Sequence, residues 1–204
     1  ERVRGVISIC TPHTKYPPVD PLAIFEKRHG KDHYCVAYQQ QGVAEALFDQ
    51  DPFAVFKMLF QTVPKGTKPS HEMYHLLKNF KAYMAAGAPD LPGAVMSRED
   101  MQVFAGAYTH SGFHGGINLY RNTTENWQYG ASLDTDIEQP SLMISTENDL
   151  FLPPSATDHM PDLIADLERT IIEDCGHWAM WEKPDAINQT MIEWLHRKMG
   201  LRFF

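Results

Sequence analysis

Thr170-Ile-Ile-Glu-Asp-Cys-Gly-His177-Trp-Ala-Met-Trp-Glu-Lys-Pro-Asp185 is the stretch on which the rest of the chain depends. Its β-prone start at Ile171 and Ile172 runs into the tight Cys175-Gly176-His177 loop, and Lys183-Pro184-Asp185 opens a helix. Pro184 suits a first helical turn, where the missing N–H costs nothing. A histidine on a loop at the carboxyl end of a strand is where open α/β sheets place reactive groups. Taken alone, it is equally a loop histidine with no role. The preceding apolar run, Pro140-Ser-Leu-Met-Ile-Ser-Thr-Glu-Asn-Asp149, alters that balance. It also ends in a polar loop, and its Asp149 lies 28 positions before His177. That separation suits one short crossover helix between parallel strands, expected over Asp158 to Asp166. Side chains at the same ends of neighbouring strands can touch. An aspartate beside a histidine fixes its tautomer and stabilises the imidazolium.

Working outward, Val3 to Ile9 reads as another buried strand, ended by Thr11-Pro12-His13. A proline-rich linker from Lys15 to Pro21 follows, and helical patterns fill Asp32 to Gln128. Asp51-Pro52 and Ser97-Arg-Glu-Asp100 open two of these helices with capping residues. The strand pattern returns at Leu142 and at Thr170 to Asp174. A last helix from Asp185 to Met199 shows Ile187, Met191, Leu195 and Met199 on one side, and Gly200 supplies its stop. The expected order is a core strand over 1–14, a helical lid over 15–128, and core strands and helices over 129–204 that carry the aspartate and histidine. Three strands are few for an α/β sheet, and Glu1 enters almost directly into a strand, so the chain is expected to begin inside a domain.

Composition narrows the function classes. The 204 residues are 43% hydrophobic, enough for a sizeable core, with a formal net charge of −8. That charge argues against a nucleic-acid partner, and no apolar run is long enough for a membrane-spanning helix. Cys10, Cys35 and Cys175 show no CxxC spacing, which suits free thiols and a cytoplasmic location. The glycosylation-like tripeptides at Asn122 and Asn188 fall on expected helices and are taken as chance.

Four motifs carry a resemblance: Glu1-Arg-Val-Arg-Gly-Val6, Gly42-Val-Ala-Glu-Ala46, Asn118-Leu-Tyr-Arg-Asn122 and Ile172-Glu-Asp-Cys-Gly-His-Trp178. Through them nearly the whole chain resembles the epoxide hydrolases of the α/β-hydrolase superfamily, and looks most like the later part of the hydrolase domain of the soluble vertebrate type. The resemblance implies an α/β-hydrolase fold with an inserted helical lid. It implies attack by a nucleophilic aspartate on a ring carbon of a small-molecule epoxide, with Tyr34 and Tyr120 as the two acids that donate to the ring oxygen. His177, oriented by Asp149, would then activate the water that hydrolyses the alkyl-enzyme ester to a diol. Phenols with pKa about 10 can donate without ionising at neutral pH, and histidine is a base in the right range. No cofactor or metal is implied. The nucleophile and oxyanion hole would belong to a missing N-terminal half upstream of Glu1, since no Gly-x-Ser-x-Gly or aspartate elbow occurs in the chain. The resemblance suggests epoxide detoxification or lipid-epoxide metabolism, and it allows a homodimer. Leu119, where the family often has an aromatic residue, and the poorly matching stretch from Gln61 to Met96 leave substrate preference open.

Other classes remain beside it: an esterase, a haloalkane dehalogenase, or a degenerate hydrolase that binds a partner. His71-Glu72-Met73-Tyr74-His75 also matches HExxH, the pattern of zinc peptidases. On an α-helix both histidines would share a face, with Glu72 as base. No third ligand is evident, and Lys78 stands where the longer motif has glycine, so zinc is not expected there.

Overall fold

In the computed structural model, residues 2–201 are described; Glu1, which opens the first motif, lies outside them, as do residues 202–204 at the end of the expected final segment. The chain divides into two compact units. The first contains residues 2–15, 62–68 and 134–201, and the second residues 16–61 and 69–133. No helix among the described residues is long and apolar enough to cross a membrane.

The first unit is built on three parallel strands, β1 (Val6–Ile9), β2 (Ser141–Thr146) and β3 (Leu167–Ile172), in the order β1-β2-β3. Val6 pairs with Ser141 and Ser141 with Leu167, so the strands run level. The central strand β2 is buried along its whole length, as expected for a parallel strand covered on both faces. Alternation then sends its side chains to two cores. Leu142 and Ile144 pack with Cys10, Cys175, Ala179, Ile187 and Trp194, while Met143 packs with Met160, Leu163 and Ile164. Gly5 leads into β1 where a Cβ would lie 2.6 Å from Met199 Cε and 3.0 Å from the Trp194 ring, so a side chain there would displace the tip of Met199 and press on Trp194.

Strand β3 begins earlier than the sequence suggests. Its start contains Glu168 and Arg169, which look unlike strand residues but are paired. Glu168 takes Arg197 at 2.5 Å, and Arg169 reaches Asp158 at 3.1 Å and the Thr157 carbonyl at 3.0 Å. The crossover helix expected over Asp158 to Asp166 is instead two 3-10 turns, Pro154–Thr157 and Met160–Asp162. Pro153, Pro154 and Pro161 supply no backbone N–H, which suits short turns and denies a continuous helix its ladder.

After β3 come helices later in the chain, α9 (Ala179–Glu182) and α10 (Pro184–Met199); the eight that precede β2, α1 to α8, form the second unit. They are α1 (Pro21–His29), α2 (Tyr34–Ala37), α3 (Val43–Phe48), α4 (Pro52–Leu59), α5 (Leu76–Ala85), α6 (Arg98–Ser111), α7 (His114–Arg121) and α8 (Thr123–Gly130). Helix α1 was not expected, although Asp20 caps it through the Leu22 N–H and Pro21 opens it. Near the end of the helical stretch that reaches Gln128, the chain breaks at Asn122 into α7 and α8. Asp51 and Ser97 cap α4 and α6 as their sequences suggest, accepting from Ala54 N and Asp100 N. Gly200 ends α10 with φ +64°.

Residues 62–68 interrupt the helical stretch but group with the strands. Lys65 lies 3.4 Å from both Glu147 and Asp174, which follow β2 and β3.

Candidate active site

In the first unit, the loops after β2 and β3 are stitched together by the backbone. Glu147 N donates to Ile172 O at 3.0 Å and Asn148 N to Cys175 O at 2.9 Å. The Glu147 carboxylate in turn accepts from Asp174 N at 2.9 Å, where the chain takes a left-handed turn at φ +48°. These bonds hold Asp149 and His177 side by side, with Asp149 Oδ2 2.8 Å from His177 Nδ1.

Asp149 is almost fully buried, and its other oxygen accepts from Phe151 N and Leu152 N, each at 2.9 Å. Burial pushes its pKa upward, but the bonds from His177 and the two amides outweigh it and hold the carboxyl below its ordinary value. The His177 side chain is 30% exposed, so one edge of the ring faces outward while Nδ1 meets the buried acid. An imidazole oriented in this way has Nε2 available to take a proton.

Two further groups support this pair and had no place in the sequence reading. Glu182 of α9 accepts from Gly176 N at 2.8 Å and Trp178 N at 3.1 Å, clasping the backbone on both sides of His177. The signal was present, since the acid lies one helical turn beyond the loop. Cys10 ends β1 with φ +61°, and its thiol donates to the His177 carbonyl at 3.6 Å. The cysteine is buried, and burial raises the thiol to about 11.

In the second unit, Tyr34 and Tyr120 come together edge to face, with ring centroids 5.3 Å apart and planes at 83°. Tyr38, one helical turn after Tyr34, completes a triangle at 5.7 Å from Tyr34 and 5.3 Å from Tyr120. Burial raises the pKa of all three phenols above the ordinary value, which keeps them protonated and able to donate. His33 caps α2 by accepting from Cys35 N at 3.2 Å, and its ring stacks on Tyr34 at 4.9 Å. Burial, aided by the neighbouring His29 and His75, lowers His33 to about 4, so it remains a neutral acceptor.

Glu45 and Arg121 fix the two tyrosine-bearing segments. The guanidinium meets both carboxylate oxygens, at 2.6 and 3.0 Å, and donates to the carbonyl of Tyr38 at 2.8 Å. Gln39 adds a bond of 2.9 Å to the Tyr120 carbonyl. Hydrogen bonding from Arg121 outweighs burial and holds Glu45 at about 2. Two of the motifs that stand apart in sequence, Gly42–Ala46 and Asn118–Asn122, are therefore the two halves of one ion pair.

The HExxH stretch is not an α-helix. His71–Tyr74 is a 3-10 turn and His75 leaves it at ψ 55°, so the shared face expected of the motif does not form. His71 Nδ1 faces His29 Nδ1 at 3.0 Å, and His75 Nε2 faces the His29 carbonyl at 3.0 Å.

The chain resembles several characterised proteins. It is 36% identical over 199 residues to bifunctional epoxide hydrolase 2 of Sus scrofa, covering 96% of this chain and 35% of that protein. Epoxide hydrolase A of Mycobacterium tuberculosis is 29% identical over 209 residues, covering 96% of this chain and 62% of its own length. The crystal structure of epoxide hydrolase A from Mycobacterium thermoresistibile superposes on all of this chain and 64% of its own, with a TM-score of 0.77 at 22% identity, which bears on the fold. The chain thus spans about a third of the pig relative and less than two thirds of the mycobacterial ones. A family model described as the alpha/beta hydrolase fold matches residues 1–184, nine tenths of the sequence, and with three level parallel strands carrying an aspartate–histidine pair at their ends, the chain belongs to the alpha/beta hydrolase fold family.

Proposed function

We propose that the chain provides the water-activating pair and the acids of an epoxide hydrolase, as the later part of a domain whose aspartate nucleophile lies outside these 204 residues. The observation that carries this reading is the Tyr34–Tyr120 pair. An aspartate–histidine pair serves esterases and dehalogenases equally, whereas two neutral phenols 5.3 Å apart answer the need peculiar to an epoxide. A ring oxygen that becomes an alkoxide needs donors which stay protonated. Tyr34 and Tyr120 act as those donors, from a helical lid, while the nucleophile attacks a ring carbon and the C–O bond breaks. The alkoxide takes its proton from one of the two phenols, which recovers one from solvent, and an alkyl-enzyme ester remains. His177 Nε2 then removes a proton from water as the water attacks the ester, and Asp149 stabilises the imidazolium. The imidazolium passes its proton to the departing alcohol oxygen, the diol leaves, and the regenerated carboxyl loses its proton to solvent.

Cys10 is not the nucleophile. It is buried, its thiol is held protonated, and it donates to the His177 carbonyl. A cytoplasmic setting fits three free cysteines, all buried. Detoxification or lipid-epoxide turnover, and a homodimeric assembly, belong to the same proposal.

The test joins these residues to the half-domain that bears the aspartate elbow and replaces His177 with Gln. An aryl epoxide then leaves a stable covalent adduct, read by mass spectrometry as protein plus one epoxide. Adding Tyr34→Phe with Tyr120→Phe prevents the adduct. Absence of any adduct together with retained hydrolysis of an aryl ester would move the protein to the esterases.

A further inference from the structure

We propose that Cys10, Asp149 and His177 form an inhibitory site for a thiophilic divalent cation of the zinc and cadmium class. Their donor atoms, one sulfur, one carboxylate oxygen and one imidazole nitrogen, all lie within 4.8 Å of one another. The cysteine and the aspartate are buried, so this is a built cluster and not a meeting of surface charges. A tetrahedral zinc site with ligand bonds of 2.0–2.3 Å has its donors about 3.5 Å apart. The three atoms therefore need only small side-chain rotations to close on an ion.

The local contacts favour that closure. Two amides hold Asp149 Oδ1, which leaves Oδ2, already beside His177 Nδ1, as the oxygen to meet the ion. The Cys10 sulfur is held in place by the His177 carbonyl at 3.6 Å and lies 3.8 Å from the Thr146 hydroxyl, which can donate to a thiolate. The exposed edge of His177 gives the ion its way in. On binding, the thiol releases its proton to solvent, and the imidazole changes tautomer, its proton passing from the nitrogen that meets the ion to the other ring nitrogen. One thiolate and one carboxylate then neutralise the two positive charges, and a water completes the coordination. A neutral cluster avoids the penalty that an uncompensated charge meets at a buried site.

The ion takes both the base and its orienter, so under the proposed function its binding blocks ester hydrolysis. The site itself rests on the three side chains and not on that function. Binding is read without turnover, so failure of the epoxide reading leaves this inference standing or falling by its own measurement.

Cadmium chloride is titrated into the reduced, chelator-free protein, and the ultraviolet thiolate-to-cadmium charge-transfer band is followed. The expected result is one equivalent bound, with the band lost in Cys10→Ser and retained in Cys35→Ser and Cys175→Ser. Loss of supporting groups around a metal costs about tenfold to a hundredfold in affinity, so Asp149→Asn and His177→Gln should each cost at least that much. Circular dichroism checks the folding of each variant. Cadmium NMR of the unsubstituted chain gives a second measure, with a shift for one sulfur ligand. No band on the unsubstituted protein, a band that survives Cys10→Ser, or a shift for two sulfurs would overturn the proposal.

Discussion

Among the described residues each unit buries one carboxylate, and the two are held down in different ways. Asp149 lies among the strands, where two amides occupy one oxygen and the other faces a partly exposed imidazole. Glu45 lies among the helices and meets a guanidinium with both oxygens. Arginine never gives up its proton at ordinary pH, so the second pair is permanently charged and serves as a clamp. An imidazole can accept a proton and give it back within one reaction, so the first pair can participate in chemistry. Burial is similar in both, and the identity of the partner decides whether a buried acid stabilises or reacts.

Neutralising each acid in turn should separate the two behaviours. In the proposed hydrolase, Asp149→Asn should lower turnover by ~10⁴-fold through loss of the imidazolium partner and the wrong tautomer. The asparagine still offers an oxygen to the Phe151 and Leu152 amides, so denaturant unfolding should show a loss of no more than about 2 kcal/mol. Glu45→Gln should do the reverse. Arg121 would be left buried without its counter-charge, and stability should fall by about 3 kcal/mol, with turnover falling less than for Asp149→Asn. Equal effects of the two substitutions on turnover would erase the distinction.

Acid sharpens the same comparison. Glu45 is held at about 2, against an ordinary 4.5, so its stabilisation is complete above the ordinary value and is lost as pH falls toward 2. The stability gap between the unsubstituted protein and Glu45→Gln should therefore be widest above pH 4.5 and close below it. Asp149 is depressed too, so its contribution fades in the same direction.

Gly176→Ala is a smaller disturbance. The new Cβ would stand 2.9 Å from Glu182 Oε1, so the carboxylate must shift and loosen its hold on the backbone around His177. A fall in turnover of about tenfold is expected, with the ester intermediate accumulating, because displacement of the base slows the second step. Ser97→Ala should have the least effect. It removes the cap of α6, costs about 1 kcal/mol in thermal unfolding and leaves turnover unchanged.

The ends of β2 and β3 were legible because apolar runs stop abruptly at polar loops, which is how Asp149 and His177 announce themselves. Alternation along β2 was invisible, since a strand buried on both faces has none. The start of β3 was hidden by Glu168 and Arg169, whose ion pairs with other segments are tertiary facts. Asp20 and Pro21 spell the start of α1, but they lie in a proline-rich stretch that reads as a linker, and Pro161 stands inside the crossover's helical pattern, where it breaks the ladder. The tyrosines were found through motif likeness. Nothing local in the sequence discloses that Glu45 and Arg121 meet, because 76 positions separate them.

That separation bears on how such proteins can be recombined. A chimaera whose crossover falls between positions 45 and 121 takes the acid from one parent and the base from the other, and it survives only where both parents use the same charges in the same places. Crossovers before Tyr34 or after Arg121 transfer the tyrosine triangle and its clamp as one heritable block. Within the block, Leu119 is 73% exposed beside the clamp, so it can be diversified while the clamp holds its neighbour Tyr120. A library that varies position 119 and keeps 45 and 121 together would explore new specificity without rebuilding the framework that carries it.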